Sequence, residues 1–89
     1  MITDTDKRII CKISKKYHAK RVLLFGSCLS PESENRDIDI GVEGVPHKDF
    51  YRYYGELMFS VSKPIDVIDI SGTSKFIKLI IQEGTLLYG

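Results

Sequence analysis

The sequence predicts an α/β (α+β) fold, a small mixed β-sheet packed with helices. Two observations lead there. Short apolar runs of strand length, Arg21–Phe25, Asp37–Ile40 and Ile65–Ile70, are bounded by Gly, Ser or Pro. Between and around them lie longer stretches whose apolar residues recur at helical spacing. At 89 residues the chain is expected to be a single domain over residues 1–89 with a modest core.

The elements follow in order. Ile9, Ile10, Ile13 and Tyr17 share one face of an opening helix that ends near His18 and covers the sheet. Arg21–Phe25 reads as a buried strand, halted by Gly26-Ser27. Asp37-Ile38-Asp39-Ile40 alternates with period two and begins a second strand. After Pro46, a helix starting near His47 carries Phe50, Tyr53, Tyr54, Leu57, Met58 and Val61 as a core stripe, while Tyr51 and Arg52 fall off it and suit an exposed surface or an interface. A third strand is entered through Pro64, and a final helix from about Ser74 to Glu83 buries Phe76, Ile77, Ile80 and Ile81, with Gly84 as its stop.

Composition excludes several classes of function. The net charge is +1, and no lysine/arginine block interleaves with aromatics, which argues against a dedicated nucleic-acid binder. Lys12, Lys15, Lys16, Lys20 and Arg21 make the early region basic, as a solvated helix face or as an attraction for nucleotide or RNA. No apolar run approaches membrane-spanning length. Cys11 and Cys28 form no metal motif, and without a recognisable signal peptide they fit a reducing cytoplasm. His18 and His47 sit near helix ends and read as surface residues.

The chemistry is concentrated between Leu24 and Ile40. On a strand, Asp37 and Asp39 project to one face about 7 Å apart. Like charges so close are unfavourable without a cation between them, and carboxylate oxygens are the ligands that Mg²⁺ prefers. A bare Asp-x-Asp is equally the acidic face of a solvated edge strand, so its surroundings decide. Gly26 permits a tight turn and a close approach of backbone to ligand, and Ser27 places a hydroxyl beside backbone N–H groups, a combination suited to phosphate oxygens and also to an ordinary turn. Asp66 and Asp69 face opposite ways on a regular strand, so only one can join the pair. Asp66 is the choice, because Asp69 lies near the strand end where solvent is easily reached.

This arrangement, an apolar strand ending in Gly26-Ser27, then Asp37-x-Asp39, then Asp66 on a third strand, resembles the DNA polymerase beta-like nucleotidyltransferase superfamily. Within it the chain is similar to the minimal nucleotidyltransferases, the MNT proteins that pair with HEPN proteins. The likeness extends to the closing Ile81–Gly89. The resemblance implies a minimal nucleotidyltransferase fold in which Gly26 and Ser27 hold the phosphates of ATP. It also implies that Asp37, Asp39 and Asp66 bind two Mg²⁺ ions, Asp66 helping to deprotonate the acceptor hydroxyl. Cys28-Leu29-Ser30-Pro31 replaces the family's small-basic-glycine sequence, and the segment up to Asp37 is one residue shorter than usual, with Arg36 available to restore some positive charge.

The expected activity is Mg²⁺-dependent transfer of AMP from ATP to a HEPN ribonuclease toxin, which makes the chain an antitoxin. The elements of nucleotidyl transfer use nearly the whole chain, so acceptor recognition would come from the partner or from a homo- or hetero-oligomer. Two alternatives stay open. One is a module, catalytically weak or inactive, that neutralises the toxin by occlusion, and the other is nucleotidyl transfer to a small molecule or RNA end.

Overall fold

The computed structural model describes residues 2–26 and 37–89. Its elements are α1 (Asp4–Lys16), β1 (Arg21–Phe25), β2 (Ile38–Glu43), α2 (His47–Ser60), β3 (Ile65–Asp69), α3 (Lys75–Glu83) and β4 (Thr85–Tyr88). They form one four-stranded sheet in the order β3-β2-β1-β4. β1 runs antiparallel to β2 and to β4, whereas β2 and β3 are parallel. A parallel pair needs a crossover, and α2 supplies it. Among the described residues no helix is long and apolar enough to cross a membrane.

Alternation along the strands divides the apolar residues between two faces. Val22 and Leu24, Ile38, Ile40 and Val42, and Ile65 and Val67 pack with Ile10 and Ile13 of α1 and Tyr53, Leu57 and Val61 around α2. On the other face Leu23 and Ile70 meet Ile80 of α3, flanked by Phe25, Ile68, Ile77 and Ile81. Gly41 allows this contact: a Cβ there would come within 2.8 Å of Ile70 Cγ2 and 3.2 Å of Ile80 Cγ2. α3 has only nine residues, so it covers only part of its face of the sheet.

Local chemistry sets the helix ends. Thr3 caps α1 by accepting from the Asp6 N–H at 3.1 Å, with Asp4 and Asp6 in the first turn and Lys15 and Lys16 in the last, both signs matching the helix dipole. His18 takes the left-handed conformation, φ 60°, as the chain reverses into β1. Ser74 caps α3 through the Ile77 N–H at 3.2 Å. Gly84 closes that helix, its N–H donating to the Ile80 carbonyl at 2.7 Å.

Two expectations need correction. Met58 is 60% exposed, because the inner row of α2 runs through Tyr53, Leu57 and Val61 and leaves Met58 beyond it. Phe76 is 53% exposed and meets Phe25 edge-on at 6.4 Å rather than entering the core, since α3 begins where the sheet ends. The closing segment forms β4 on the free edge of β1, held to α1 where the Cys11 thiol donates to the Leu87 carbonyl at 3.2 Å.

Candidate active site

Asp39 is on β2 and Asp66 on β3, and the parallel register sets them directly opposite each other. Alignment begins one step earlier, where the Ile38 N–H donates to the Pro64 carbonyl at 2.9 Å as the two strands start side by side. Across the other flank of β2, Asp39 is paired with Phe25, the last residue of β1. Gly26 follows with φ +74°, and a Cβ there would lie 2.7 Å from Asp39 Oδ2. Glycine is therefore required twice over, for the backbone conformation and for the space that the carboxylate occupies.

Asp37 precedes the first residue of β2 instead of lying within it. Its charge still reaches Asp39. The Asp39 carboxyl is pushed above the ordinary carboxylate value by burial first, then by the negative charges of Asp66 and Asp37 and by a hydrogen bond shared with Asp66. Ser27, Cys28 and Arg36 lie outside the described residues.

Asp69 is turned elsewhere. Its Oδ1 accepts from the Ser71 N–H at 2.9 Å, and its Oδ2 lies 3.9 Å from Nε2 of the exposed His47 at the start of α2. This separates Asp69 from the Asp39–Asp66 pair, as an odd spacing on one strand requires.

Sequence reasoning missed two supports of the site. Asp6, buried in the first turn of α1, accepts from Ser62 twice, from its N–H at 3.0 Å and its hydroxyl at 2.6 Å. That tie anchors the segment leading through Pro64 into β3, four residues before Asp66. Tyr54 of α2 reaches the site itself, its hydroxyl donating to Asp66 Oδ1 at 3.4 Å. Burial, followed by the charge of Asp66, pushes the Tyr54 phenol above its ordinary value. The only sequence signal for Asp6 was an acid on the helix face that also carries Ile9, Ile10 and Ile13.

The donor set suits a hard divalent cation. Asp39 and Asp66 present carboxylate oxygens to one another, and their mutual repulsion is the condition that a cation relieves. Among the described residues, no three His, Cys, Asp or Glu side chains are gathered closely enough to enclose a metal ion by themselves. Mg²⁺ does not need such a cage, because it commonly binds through one or two carboxylates with substrate phosphates completing its shell. Beside Gly26, a mainly apolar cleft of about 230 Å³ lies between Phe25 and the Phe76, Leu79 and Ile80 side chains of α3.

Comparison with known proteins places this geometry. The solved structures most like it include a toxin-antitoxin complex MntA-HepT, with TM-score 0.73, 19% identity, and coverage of 98% of this chain and 73% of that one. A toxin-antitoxin structure with AMP-PNP gives TM-score 0.76 and 21% identity over 93% of this chain and 73% of that one. A complex of tri-AMPylated Shewanella oneidensis HEPN toxin with MNT antitoxin gives TM-score 0.70 and 20% identity over 94% and 70%. Identities this low establish a shared fold. No curated protein sequence matches the chain significantly. The family model described as polymerase beta, nucleotidyltransferase matches residues 7–89, which takes in every strand and both acids of the facing pair, and the chain therefore belongs to the polymerase beta nucleotidyltransferase family.

Proposed function

We infer that the chain transfers AMP from ATP to a protein hydroxyl on a HEPN-type toxin and thereby acts as its antitoxin. The observation that carries this reading is the facing pair Asp39 and Asp66, set directly beside Gly26. The fold is shared with an MNT antitoxin described in complex with a tri-AMPylated HEPN toxin and with a toxin-antitoxin structure with AMP-PNP.

The residues divide the work. Gly26, with no side chain in the way, lets the phosphates approach the end of β1, and Ser27 would add a hydroxyl to their binding. Asp37, Asp39 and Asp66 would hold two Mg²⁺ ions, which when bound neutralise phosphate charge and lower the pKa of the acceptor hydroxyl. Asp66, on an edge strand and exposed, is the acid an incoming acceptor can reach, and it would take the acceptor's proton. Asp39, between β1 and β3, is placed among the described residues to face both Gly26 at the end of β1 and Asp66. Positioning and charge neutralisation supply most of the acceleration in such transfers.

The test is incubation of the chain with Mg²⁺, ATP labelled at the α-phosphate, and a HEPN-type toxin, taken from the adjacent reading frame if that frame encodes one. Label on the partner that disappears with Asp37→Asn/Asp39→Asn supports transfer. A stable complex that never becomes labelled would replace this reading with neutralisation by occlusion.

A further inference from the structure

Three tyrosines of α2 have three different surroundings. Tyr53 is buried, and its hydroxyl is held against Ser14 Oγ at 2.7 Å. Tyr51 is 86% exposed. Tyr54, half-buried, brings its hydroxyl to 3.4 Å from Oδ1 of Asp66. That separation is long for an O–H···O bond, whose usual range is about 2.5–3.0 Å, so the bond is a weak one, and the phenol also has a backbone hydrogen bond at Val67. Tyr54 and Asp66 also line a common open groove of about 520 Å³, bounded by Met58 and Pro64.

The proposed reaction needs a protein hydroxyl beside Asp66, and Tyr54 already supplies one. Resting on that reading, we propose that Tyr54 is a site of self-modification, accepting AMP from ATP bound at the chain's own active site. The Tyr54 oxygen attacks the α-phosphorus, forming a phosphodiester O–P bond. The bond between the α-phosphorus and the oxygen bridging to the β-phosphate breaks, and pyrophosphate leaves. The phenolic proton passes to the Asp66 carboxylate, so charge and atoms balance with ATP as the sole co-reactant. The product carries a nucleotide in the groove that an external acceptor must enter, and modification would restrain the enzyme when no partner is present.

The experiment uses the purified full chain with Mg²⁺ and ATP labelled at the α-phosphate, alone and together with the same HEPN-type toxin, followed by peptide mapping. The expected result is label on the isolated chain, mapped to Tyr54, falling to the level of Asp39→Asn in Tyr54→Phe and persisting in Tyr51→Phe. Mapping on the unsubstituted chain decides the matter even if Tyr54→Phe folds poorly. Label on the partner but none on the chain overturns self-modification and leaves the proposed function standing. Label on the chain at any other residue overturns the assignment to Tyr54, and label on neither protein overturns both readings.

Discussion

Asp6 and Asp39 are both carboxylates drawn out of water, and the molecule treats them in opposite ways. Asp6 is buried with partners of its own: an N–H and a hydroxyl from Ser62 supply the hydrogen bonds that a buried charge demands. Asp39 faces a second carboxylate, Asp66, and has a third, Asp37, nearby. One acid satisfies the fold, and the other is left for something the fold does not contain. Asp6 is fully buried and Asp39 only partly, yet the deeper of the two is the one that is satisfied, so what tells them apart is the sign of what surrounds each. Residue substitutions at the two positions should therefore separate stability from chemistry.

The largest effect is expected on catalysis. Asp39→Asn should lower transfer to the partner by roughly 10³-fold, about 4 kcal/mol of barrier, while leaving the fold intact. Single-turnover transfer of labelled AMP measures the first part and far-UV circular dichroism the second. A variant that unfolds would place Asp39 with Asp6, as a structural acid, and the comparison would collapse.

Next in size is the converse. Asp6→Ala removes both bonds to Ser62 and a favourable charge in the first turn of α1, and should cost about 2–3 kcal/mol of stability in urea unfolding. Below it lies Ser62→Ala, which keeps the N–H bond and loses only the 2.6 Å hydroxyl contact, for about 1 kcal/mol. The two losses should not add in the double variant, because they remove the same interaction. Additive losses would show that Asp6 stabilises the helix by its position alone.

How much of this was legible in the sequence depends on whether the signal was local. β1 occupies the residues of the Arg21–Phe25 run, and α2 begins at His47 after Pro46, since a strand's hydrophobic run and a helix's start are written in adjacent residues. β4 was not visible, because a four-residue edge strand with Leu86 exposed carries neither a buried run nor an alternation. The opposition of Asp39 and Asp66 depends on register between strands distant in sequence, which periodicity within one strand cannot give. Odd spacing did separate Asp66 from Asp69, and the structure sets Asp69 toward Ser71 and His47. The spacing of Tyr54 reads as core, yet its polar end lies at Asp66, because an amphipathic ring on the border of a helical stripe can be buried at its body and polar at its tip.

The smallest effect is the most discriminating. The folded chain raises the proton affinity of Asp39 above that of the unfolded chain, through burial and the charges of Asp66 and Asp37. A raised carboxyl contributes stability that is fully present below the ordinary value of about 3.9 and is lost as the pH rises through the folded value. At neutral pH and without metal, Asp39 is therefore a cost, and Asp39→Asn should be more stable than the unsubstituted chain. The gain should be less than about 1 kcal/mol, because the pair is solvent-screened, and it should vanish in acid, where the carboxyl is already protonated. Mg²⁺ should erase the gain from the other side by stabilising only the chain that keeps the carboxylate, so that the order of melting temperatures at neutral pH reverses on adding metal. Asp6→Asn offers the control: its carboxylate has hydrogen-bond donors from Ser62 in place of acids, so the substitution should destabilise the chain at neutral pH by the same amount with and without Mg²⁺. If Asp39→Asn instead melts lower in the absence of metal, the facing acids are held together by the fold for its own stability, and the distinction between the two carboxylates fails.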